Sequence, residues 1–435
     1  MKTIMKILPL LMIVLMVASS YKIISTATEK SKLYNGHLEA ARSFASKGII
    51  VDAVKEYDEA LDMYKSKDVC LEIGKMYNDN EMGGDAVSWG EKMMEMYPDE
   101  PFAYEYTLNS YIKYDNFEEC YDIIEIADKR GVSSKEIQKI ADSLEYKFEL
   151  SRTDFSEISV FSGELCAAKK GEFWGYISEK GSVVIPFRYF SAGIFANGIA
   201  SVQQEENGEI FYIDVEGNKK LDIPDNLNCK YAGAFSNEMF PICDGSKYIY
   251  YNVNFEKLSG PYDFAGVMNG GAAAVKVGNE WMFINGSGEK IGKNVFSDIK
   301  LDEKNVAIRN ERAFVKIGEK YFLVDSEGKK VGGKELDDAR LFKEDAPAAV
   351  KINQKWGFIN NSGKIVIDPE YEDARSFSNG LAAVKKDGKW FYIDINNEVK
   401  IKGDFDNATD FNESGFAFVK TDERWLSIKL LKKNH

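Results

Sequence analysis

A short pattern of large apolar residues recurs eight times in the C-terminal part of the chain. Each copy is a run of five residues, such as Trp356-Gly-Phe-Ile-Asn, and the copies follow one another at intervals of 36, 38, 33, 40, 35, 34 and 35 residues. The copies begin at Trp174, Ile210, Tyr248, Trp281, Tyr321, Trp356, Trp390 and Trp425. A unit of this length is too short to bury its own apolar face, so it must pack against its neighbours in an array or a ring.

The residues inside each unit alternate with a period of two, which predicts β-strands. In the unit that begins at Trp356, the segment Asn360-Asn-Ser-Gly363 predicts a tight turn, and Ile365–Ile367 is the returning strand of a hairpin. Leu381–Val384 follows as a third, buried strand, in which two alanines indicate close packing between sheets.

The two ends of the β region are complementary. Phe155–Ala168 has the pattern of a second half-unit with no first half before it, and Trp425–Ile428 is a first half-unit with no second half after it. A closed ring lets the C-terminal strands pair with the N-terminal ones, which removes both exposed edges. Residues 155–431 therefore predict a β-propeller-like ring of about eight small units, one of them shared by the two ends. An open, curved β array is the alternative.

Two segments of this region, Phe173–Val202 and Lys355–Lys385, resemble the WG β-repeat family, named for its Trp-Gly pair. The repeat-signature positions are Trp174, Gly175, Trp281, Trp356, Gly357, Trp390 and Trp425, of which only Trp174-Gly175 and Trp356-Gly357 keep the intact pair. The resemblance implies a β-repeat architecture and no particular reaction. We expect the aromatic markers to pack between units; stacking of a sugar on them is the alternative.

Residues 30–150 predict a helical repeat region instead. A helix face with a small, a large and a small residue is formed by Ala53, Tyr57 and Ala60, and it recurs 33 residues later from Ala86 and 34 residues later from Cys120. The spacing resembles tetratricopeptide (TPR) repeats. It implies an α-solenoid of three helix–turn–helix units with residues 134–150 as a capping helix. Such an array offers a groove for a peptide or a partner protein; the alternative is that it only braces the next domain.

The N-terminal segment, residues 1–27, has the composition of an export signal. Lys2 and Lys6 precede the apolar run Ile7–Ala18, and small residues follow at Ser19 and Ser20. The segment is either a cleaved signal peptide or an uncleaved signal anchor in the membrane. Both interpretations place the rest of the chain outside the cytoplasm, because the two lysines keep the N-terminus inside.

Histidine and cysteine usage argues against most catalytic and metal sites. The only histidines are His37 and His435, so a His-based triad or metal cluster is excluded. The five cysteines form no CxxC pair; we expect free thiols, with a Cys229–Cys243 disulfide as the alternative. Acidic residues recur beside an aromatic in unit after unit, which indicates an architectural role, since a catalytic carboxylate pair should occur once. We therefore predict no catalytic residue, metal or cofactor, and no enzyme.

The chain has 56 Lys and Arg against 70 Asp and Glu, a formal charge of −14. An acidic surface repels phosphate, so nucleic acid is not an expected partner. Two consecutive repeat architectures predict a non-catalytic extracytoplasmic protein that binds or scaffolds a partner protein. Binding of a cell-wall or extracellular polysaccharide by the β domain is the alternative. The helical region is the more acidic one, so a basic partner would be expected there.

Overall fold

The computed structural model describes the backbone of residues 4–343 and 345–431. It divides the chain into two compact units, Met1–Glu145 and Tyr146–His435. The predicted export segment falls largely in the first helix, whose side chains before Lys22 lie outside the described residues, so this expectation stays a prediction. In the described part of the chain, no helix combines the length and apolarity needed to cross a membrane.

The first unit consists of seven helices within its described residues. They are α1 (Ile4–Ser46), α2 (Ile50–Met63), α3 (Lys67–Asp79), α4 (Gly83–Met96), α5 (Pro101–Lys113), α6 (Phe117–Arg130) and α7 (Lys135–Leu144). Short turns join α1 to α2, α3 to α4 and α5 to α6, so the chain contains three helix–turn–helix pairs and a final helix. This arrangement agrees with a TPR-like interpretation only at the level of helical pairs.

Small residues let neighbouring helices approach, as the repeat pattern required. Ala53, Ala60 and Ala86 are fully buried, and Tyr57, which lies between the first two in the chain, is only 3% exposed. A Cβ atom on Gly90 of α4 would lie 2.7 Å from Oγ1 of Thr107 on α5, so only glycine fits there. The sequence pattern therefore identified the packing face of these helices.

Across its described residues, the second unit consists of eight small sheets, each antiparallel, arranged as an eight-bladed β-propeller. Blade 1 contains β2 (Glu157–Ser162), β3 (Leu165–Lys170), β4 (Phe173–Ser178) and β5 (Val183–Tyr189), all of which follow β1 (Phe148–Arg152) in the chain. Blade 2 contains β6 (Ser191–Ala192), β7 (Ile199–Gln203), β8 (Ile210–Asp214) and β9 (Lys219–Asp222). Blade 3 contains β10 (Tyr231–Ala232), β11 (Met239–Cys243), β12 (Tyr248–Asn252) and β13 (Lys257–Tyr262). Blade 4 contains β14 (Phe264–Ala265), β15 (Ala272–Val277), β16 (Glu280–Asn285) and β17 (Lys290–Phe296).

The remaining blades follow the same order. Blade 5 contains β18 (Asp298–Ile299), β19 (Arg312–Ile317) and β20 (Lys320–Asp325). Blade 6 contains β21 (Asp338–Ala339), β22 (Ala348–Ile352), β23 (Lys355–Ile359) and β24 (Ile365–Tyr371). Blade 7 contains β25 (Asp373–Ala374), β26 (Ala382–Lys386), β27 (Lys389–Ile393) and β28 (Val399–Phe405). Blade 8 contains β29 (Asn407–Ala408), β30 (Phe416–Thr421) and β31 (Arg424–Leu430), together with β1.

The ring closes through blade 8, because β31 pairs with β1 in addition to β30. The β1–β31 register runs from Phe148 opposite Leu430 to Arg152 opposite Leu426. One blade is therefore shared by the two ends of this unit, as predicted, and the open array is wrong. The shared blade differs from the expectation at residues 148–150, because these residues were expected to be helical but belong to its closing strand, β1.

A second difference concerns residues 155–168. We expected this segment to complete the unit that begins at Trp425, but β2 and β3 form a sheet with β4, which contains Trp174. The sequence period begins at the third strand of a blade, whereas the sheet begins two strands earlier. The half-units at the two ends are therefore displaced by two strands from the boundaries of the sheets.

The glycine of the Trp-Gly pair lies opposite a bulge in the neighbouring strand, where it permits a close approach of the two backbones. Between Trp356–Tyr371 and Phe358–Ile367, one residue of β23 faces three residues of β24. A Cβ atom on Gly357 would lie 2.6 Å from the carbonyl oxygen of Ile367. In blade 3, Ile249 occupies the position of this glycine, and the facing strand contains Gly260 instead. A Cβ atom added to Gly260 would lie 2.9 Å from the carbonyl oxygen of Tyr248. The close approach is kept while the glycine changes strand.

Candidate functional site

The tryptophan markers lie in five different blades and do not form one site. Each lies beneath a basic side chain of its own blade: Lys169 over Trp174, Lys276 over Trp281, Arg340 over Trp356, Arg375 over Trp390 and Lys420 over Trp425. One face of every marker is thus covered by a cation of this chain. The positions Ala53, Tyr57, Ala60 and Ala86 lie in the core of the helical unit.

A tyrosine hydroxyl links several pairs of neighbouring blades. The tyrosine two residues after the marker donates a hydrogen bond to a carbonyl oxygen of the next blade: Tyr176 to Gly193 (2.9 Å), Tyr212 to Gly233 (2.7 Å), Tyr250 to Gly266 (2.6 Å) and Tyr392 to Thr409 (2.8 Å). Blades 4, 5 and 6 have Phe283, Leu323 and Phe358 at this position, and none of these can donate.

Basic residues replace the accepting glycines where the tyrosine is absent. The equivalent positions of blades 5, 6 and 7 are Lys300, Arg340 and Arg375. Lys300 forms an ion pair with Asp338 of blade 6 at 2.6 Å, and Arg340 forms one with Asp373 of blade 7 at 2.9 Å. Arg375 donates to the carbonyl oxygen of Ala408 in blade 8 at 2.6 Å. Tyrosines therefore connect blades 1 to 4, charged side chains connect blades 5 to 8, and both kinds of contact join blades 7 and 8.

The loop between β18 and β19 of blade 5 is longer than its counterparts and crosses the ring. Asp302 holds its tip, because its carboxylate accepts hydrogen bonds from the backbone N–H groups of Lys304 and Val306 at 2.9 Å and from Arg309. Nζ of Lys304 lies 3.1 Å from Oγ of Ser162 in blade 1, four blades away in a ring of eight. Burial lowers the pKa of Lys304, and the nearby Arg309 lowers it further.

This loop and the corresponding loops of blades 1, 6, 7 and 8 surround a cavity of about 490 Å³. They all follow the first strand of their blades, so this edge of each sheet faces the centre of the ring. The volume lies within the range of roughly 300–1,000 Å³ that is typical of ligand pockets. The cavity is therefore the candidate functional site of this unit.

A largely buried ion pair between Lys343 and Asp410 lies in the cavity wall, with side chains that are 28% and 12% exposed. Burial opposes the charge on Asp410, but Lys343 and Arg375 outweigh it and lower its pKa below the usual range. Burial likewise opposes the charge on Lys343, but Asp410 and Glu303 raise its pKa above the usual value. Both groups are charged at neutral pH, and Glu303 lies 3.9 Å from Lys343.

The recurrent acidic residues have the architectural role that the sequence indicated. Asp263 accepts a hydrogen bond from the backbone N–H of Gly278 at 2.6 Å, and Asp406 accepts one from Asp422 at 3.0 Å. Within the described residues, no three His, Cys, Asp or Glu side chains are grouped to hold a metal ion. The five cysteines are free in this structure.

The cavity residues were not identified from the sequence, although two features of the sequence set this part of the ring apart. The interval from Trp281 to Tyr321 is 40 residues, the longest of the seven, and it contains the Asp302–Asn305 segment. A second signal is the change from glycine to Lys or Arg after the first strand of blades 5 to 7. Both features are departures from the repeat, so a motif that is defined by what the repeats share does not contain them.

The fold and the cavity define a β-propeller protein built from repeats, an architecture that indicates a binding or scaffold role. Three segments of the propeller, residues 174–207, 356–390 and 390–425, match the model of the "WG containing repeat". The resemblance inferred from the Trp-Gly pairs is therefore confirmed, and the repeats include one that has lost its glycine. No curated protein matches the chain.

Among solved structures, the chain is similar to Hsv2p of Kluyveromyces lactis, with 11% identity over 55% of this chain and 95% of that one and a TM-score of 0.33. It is also similar to a catalytically inactive virginiamycin B lyase from Staphylococcus aureus, with 13% identity over 65% of this chain and all (100%) of that one and a TM-score of 0.34. A third similarity is to the TPR domain of P58(IPK), with 17% identity over 27% of this chain and 34% of that one and a TM-score of 0.20.

Proposed function

We propose that this protein is a non-catalytic binding or scaffold protein that acts outside the cytoplasm and holds a partner protein. The observation that carries the proposal is the cavity at the centre of the propeller. Its charged side chains are fixed in advance by the Asp302–Arg309 ion pair within the blade 5 loop and by the Lys343–Asp410 ion pair between loops of blades 6 and 8. A preformed polar site lowers the entropic cost of binding, because few side chains need to be ordered when the partner arrives.

The chemistry of the cavity favours binding over catalysis. A general acid at neutral pH needs a carboxyl group whose pKa is raised, but the pKa of Asp410 is lowered. The pKa of Lys304 is lowered as well, but its amine is held by a hydrogen bond to the hydroxyl of Ser162. The described residues of the cavity thus supply charge and hydrogen bonds for recognition.

The polysaccharide alternative depended on exposed aromatic markers. Trp356 and Trp390 are only 6% and 5% exposed, and Arg340 and Arg375 cover one face of each ring. A sugar needs an open ring face for stacking, so these contacts favour a partner protein. The extracytoplasmic location is supported by the order of basic, apolar and small residues in positions 1–27.

The proposal is tested with the full-length chain carrying a C-terminal affinity tag. Proteins captured from the native envelope are identified, and each is then purified and mixed with the tagged chain in analytical ultracentrifugation. We expect at least one to form a saturable complex of fixed stoichiometry. Failure of every purified candidate to form a complex, together with binding on a glycan array, would overturn the proposal. Cell fractionation checks the location, and recovery of the chain with cytoplasmic proteins would contradict it.

A further inference from the structure

We propose that the mouth of the central cavity binds the cationic side chain of an arginine or lysine on the partner protein, an inference that rests on the proposed binding function. The proposal concerns the charges that the cavity leaves unpaired. The described residues in its lining include six carboxylates and three basic side chains. The acidic groups are Glu164, Glu179, Asp302, Glu303, Asp410 and Glu413, and the basic groups are Lys304, Arg309 and Lys343.

The basic side chains are occupied by contacts within the protein. Arg309 forms an ion pair with Asp302 at 2.6 Å, and Lys343 forms one with Asp410. Lys304 is directed to Ser162 across the ring. Two of the three cations of the described lining are thus paired with carboxylates, and the carboxylates of the lining outnumber its cations by six to three.

Four of the carboxylates belong to blades 1 and 8, which are neighbours in the ring, and three of these, Glu164, Glu179 and Glu413, form no ion pair with a described residue. Glu179 accepts hydrogen bonds from Ser414 and, at 3.5 Å, from Asn412, so it holds the two blades together without losing its charge. Glu164 and Glu413 are exposed, and no hydrogen bond or ion pair joins either to another described residue. The mouth therefore carries a local excess of negative charge that attracts a cation.

Two observations that are independent of these carboxylates point to a ligand. The first is the cavity itself, whose volume of about 490 Å³ suits one large side chain with the backbone that carries it. The second is the wall carboxylate of Asp410. Its Oδ1 atom is buried and accepts no hydrogen bond from the described residues, so the wall keeps an acceptor that a donor on the ligand can satisfy.

An aromatic side chain completes the arrangement. Phe161 lines the cavity, is only partly buried, and lies 5.9 Å from the parallel ring of Phe418. A flat guanidinium or an alkyl-ammonium chain can pack against such a ring while its charge faces carboxylates. The combination of an apolar surface and acidic groups fits an arginine or lysine side chain better than a small inorganic cation, which prefers oxygen ligands alone.

The test uses the full chain and Nα-acetyl-arginine amide, which mimics an arginine within a polypeptide, in ligand-observed NMR titrations. Nα-acetyl-citrulline amide is the neutral isostere, and n-propylguanidinium is the side chain without a backbone. We expect saturable binding of the arginine compound, weaker binding of n-propylguanidinium, and no binding of the citrulline compound. Binding should also weaken as salt is added. Equal binding of the arginine and citrulline compounds would overturn the cationic site, and equal binding of the free guanidinium would overturn a protein-borne ligand.

The double variant Glu164→Gln, Glu413→Gln should bind the arginine compound about fivefold more weakly, as expected for two partly exposed ion pairs. The matched control is Glu209→Gln, Glu280→Gln, which removes the same charge from exposed positions outside the cavity lining. An equal loss in both variants would refute a local site. If the arginine compound binds but no partner protein is found, the cationic site stands and the proposed function fails. If a partner protein is found but the arginine compound does not bind, the proposed function stands and the cationic site fails.

Discussion

Replacing Gly357 by alanine tests the explanation given for the Trp-Gly pair. The new Cβ atom would lie 2.6 Å from the carbonyl oxygen of Ile367, and 2.7 and 2.8 Å from the backbone nitrogen and Cα of Pro369. All three are backbone atoms of a bulged strand, so no side-chain rotation relieves the overlap. Overpacking of this kind costs about 1–3 kcal/mol of unfolding free energy. In a unit of this size the cost corresponds to a fall in Tm of roughly 2–12 °C.

Tryptophan fluorescence is a suitable probe for this measurement, because five of the six tryptophans lie in the propeller. The control is Gly84→Ala in α4, where the added Cβ atom would meet nothing within 4 Å and alanine favours the helix. We expect the control to leave the fluorescence-detected transition unchanged. A Gly357→Ala protein that melts at or above the wild-type temperature would refute the close-approach argument, since an unstrained strand would then accept any small residue.

Three further predictions concern contacts between blades. Tyr392→Phe removes the hydrogen bond to the carbonyl oxygen of Thr409 and should lower the free energy of unfolding in urea by about 1 kcal/mol; an unchanged value would show that the hydroxyl is dispensable. In the Lys343–Asp410 pair, the pKa of the carboxyl group is lowered and the pKa of the amine is raised. The stability that Asp410 contributes is therefore present above about pH 4 and is lost as pH falls through its lowered pKa. The stability that Lys343 contributes is lost only as pH rises through its raised pKa. Lys343→Met should therefore destabilise by about 3 kcal/mol at neutral pH and by less at acid pH, as monitored by urea unfolding, and a loss independent of pH would contradict the assignment. Deletion of residues 424–435 removes β31 and exposes both β30 and β1, so we expect calorimetry to show a broad, less cooperative transition of the propeller, whereas a sharp transition near the wild-type Tm would contradict ring closure.

The number and spacing of the repeats predicted the ring but did not identify the strand that closes it. The eight markers and the complementary ends were sufficient to predict eight units and a shared blade. The strand Phe148–Arg152 contains no marker and follows α7 closely, so by pattern it continues the helical region. It becomes a strand because β31, at the far end of the propeller sequence, offers an unpaired edge, and pairing with that edge closes the ring.

The glycine of the marker illustrates the same limit on a smaller scale. In the sequence, Ile249 stands at the position of another unit that is equivalent to Gly357, and this replacement breaks the Trp-Gly motif. The structure shows that Gly260 on the facing strand then permits the same close approach. The constraint acts on a pair of strands, and a comparison of single positions cannot detect it.

The sequence by itself determined the properties that depend on neighbours in the chain: the number of blades, the hairpins with their turns, and the packing face of the helices. These follow from side-chain alternation and turn chemistry, which act over a few residues. Only the tertiary structure decided what lies at the centre of the ring. Lys343 reaches Asp410 over 67 residues, and Lys304 reaches Ser162 over 142 residues. These contacts join loops that depart from the repeat, and such loops meet only because the closed ring brings the inner edges of distant blades together.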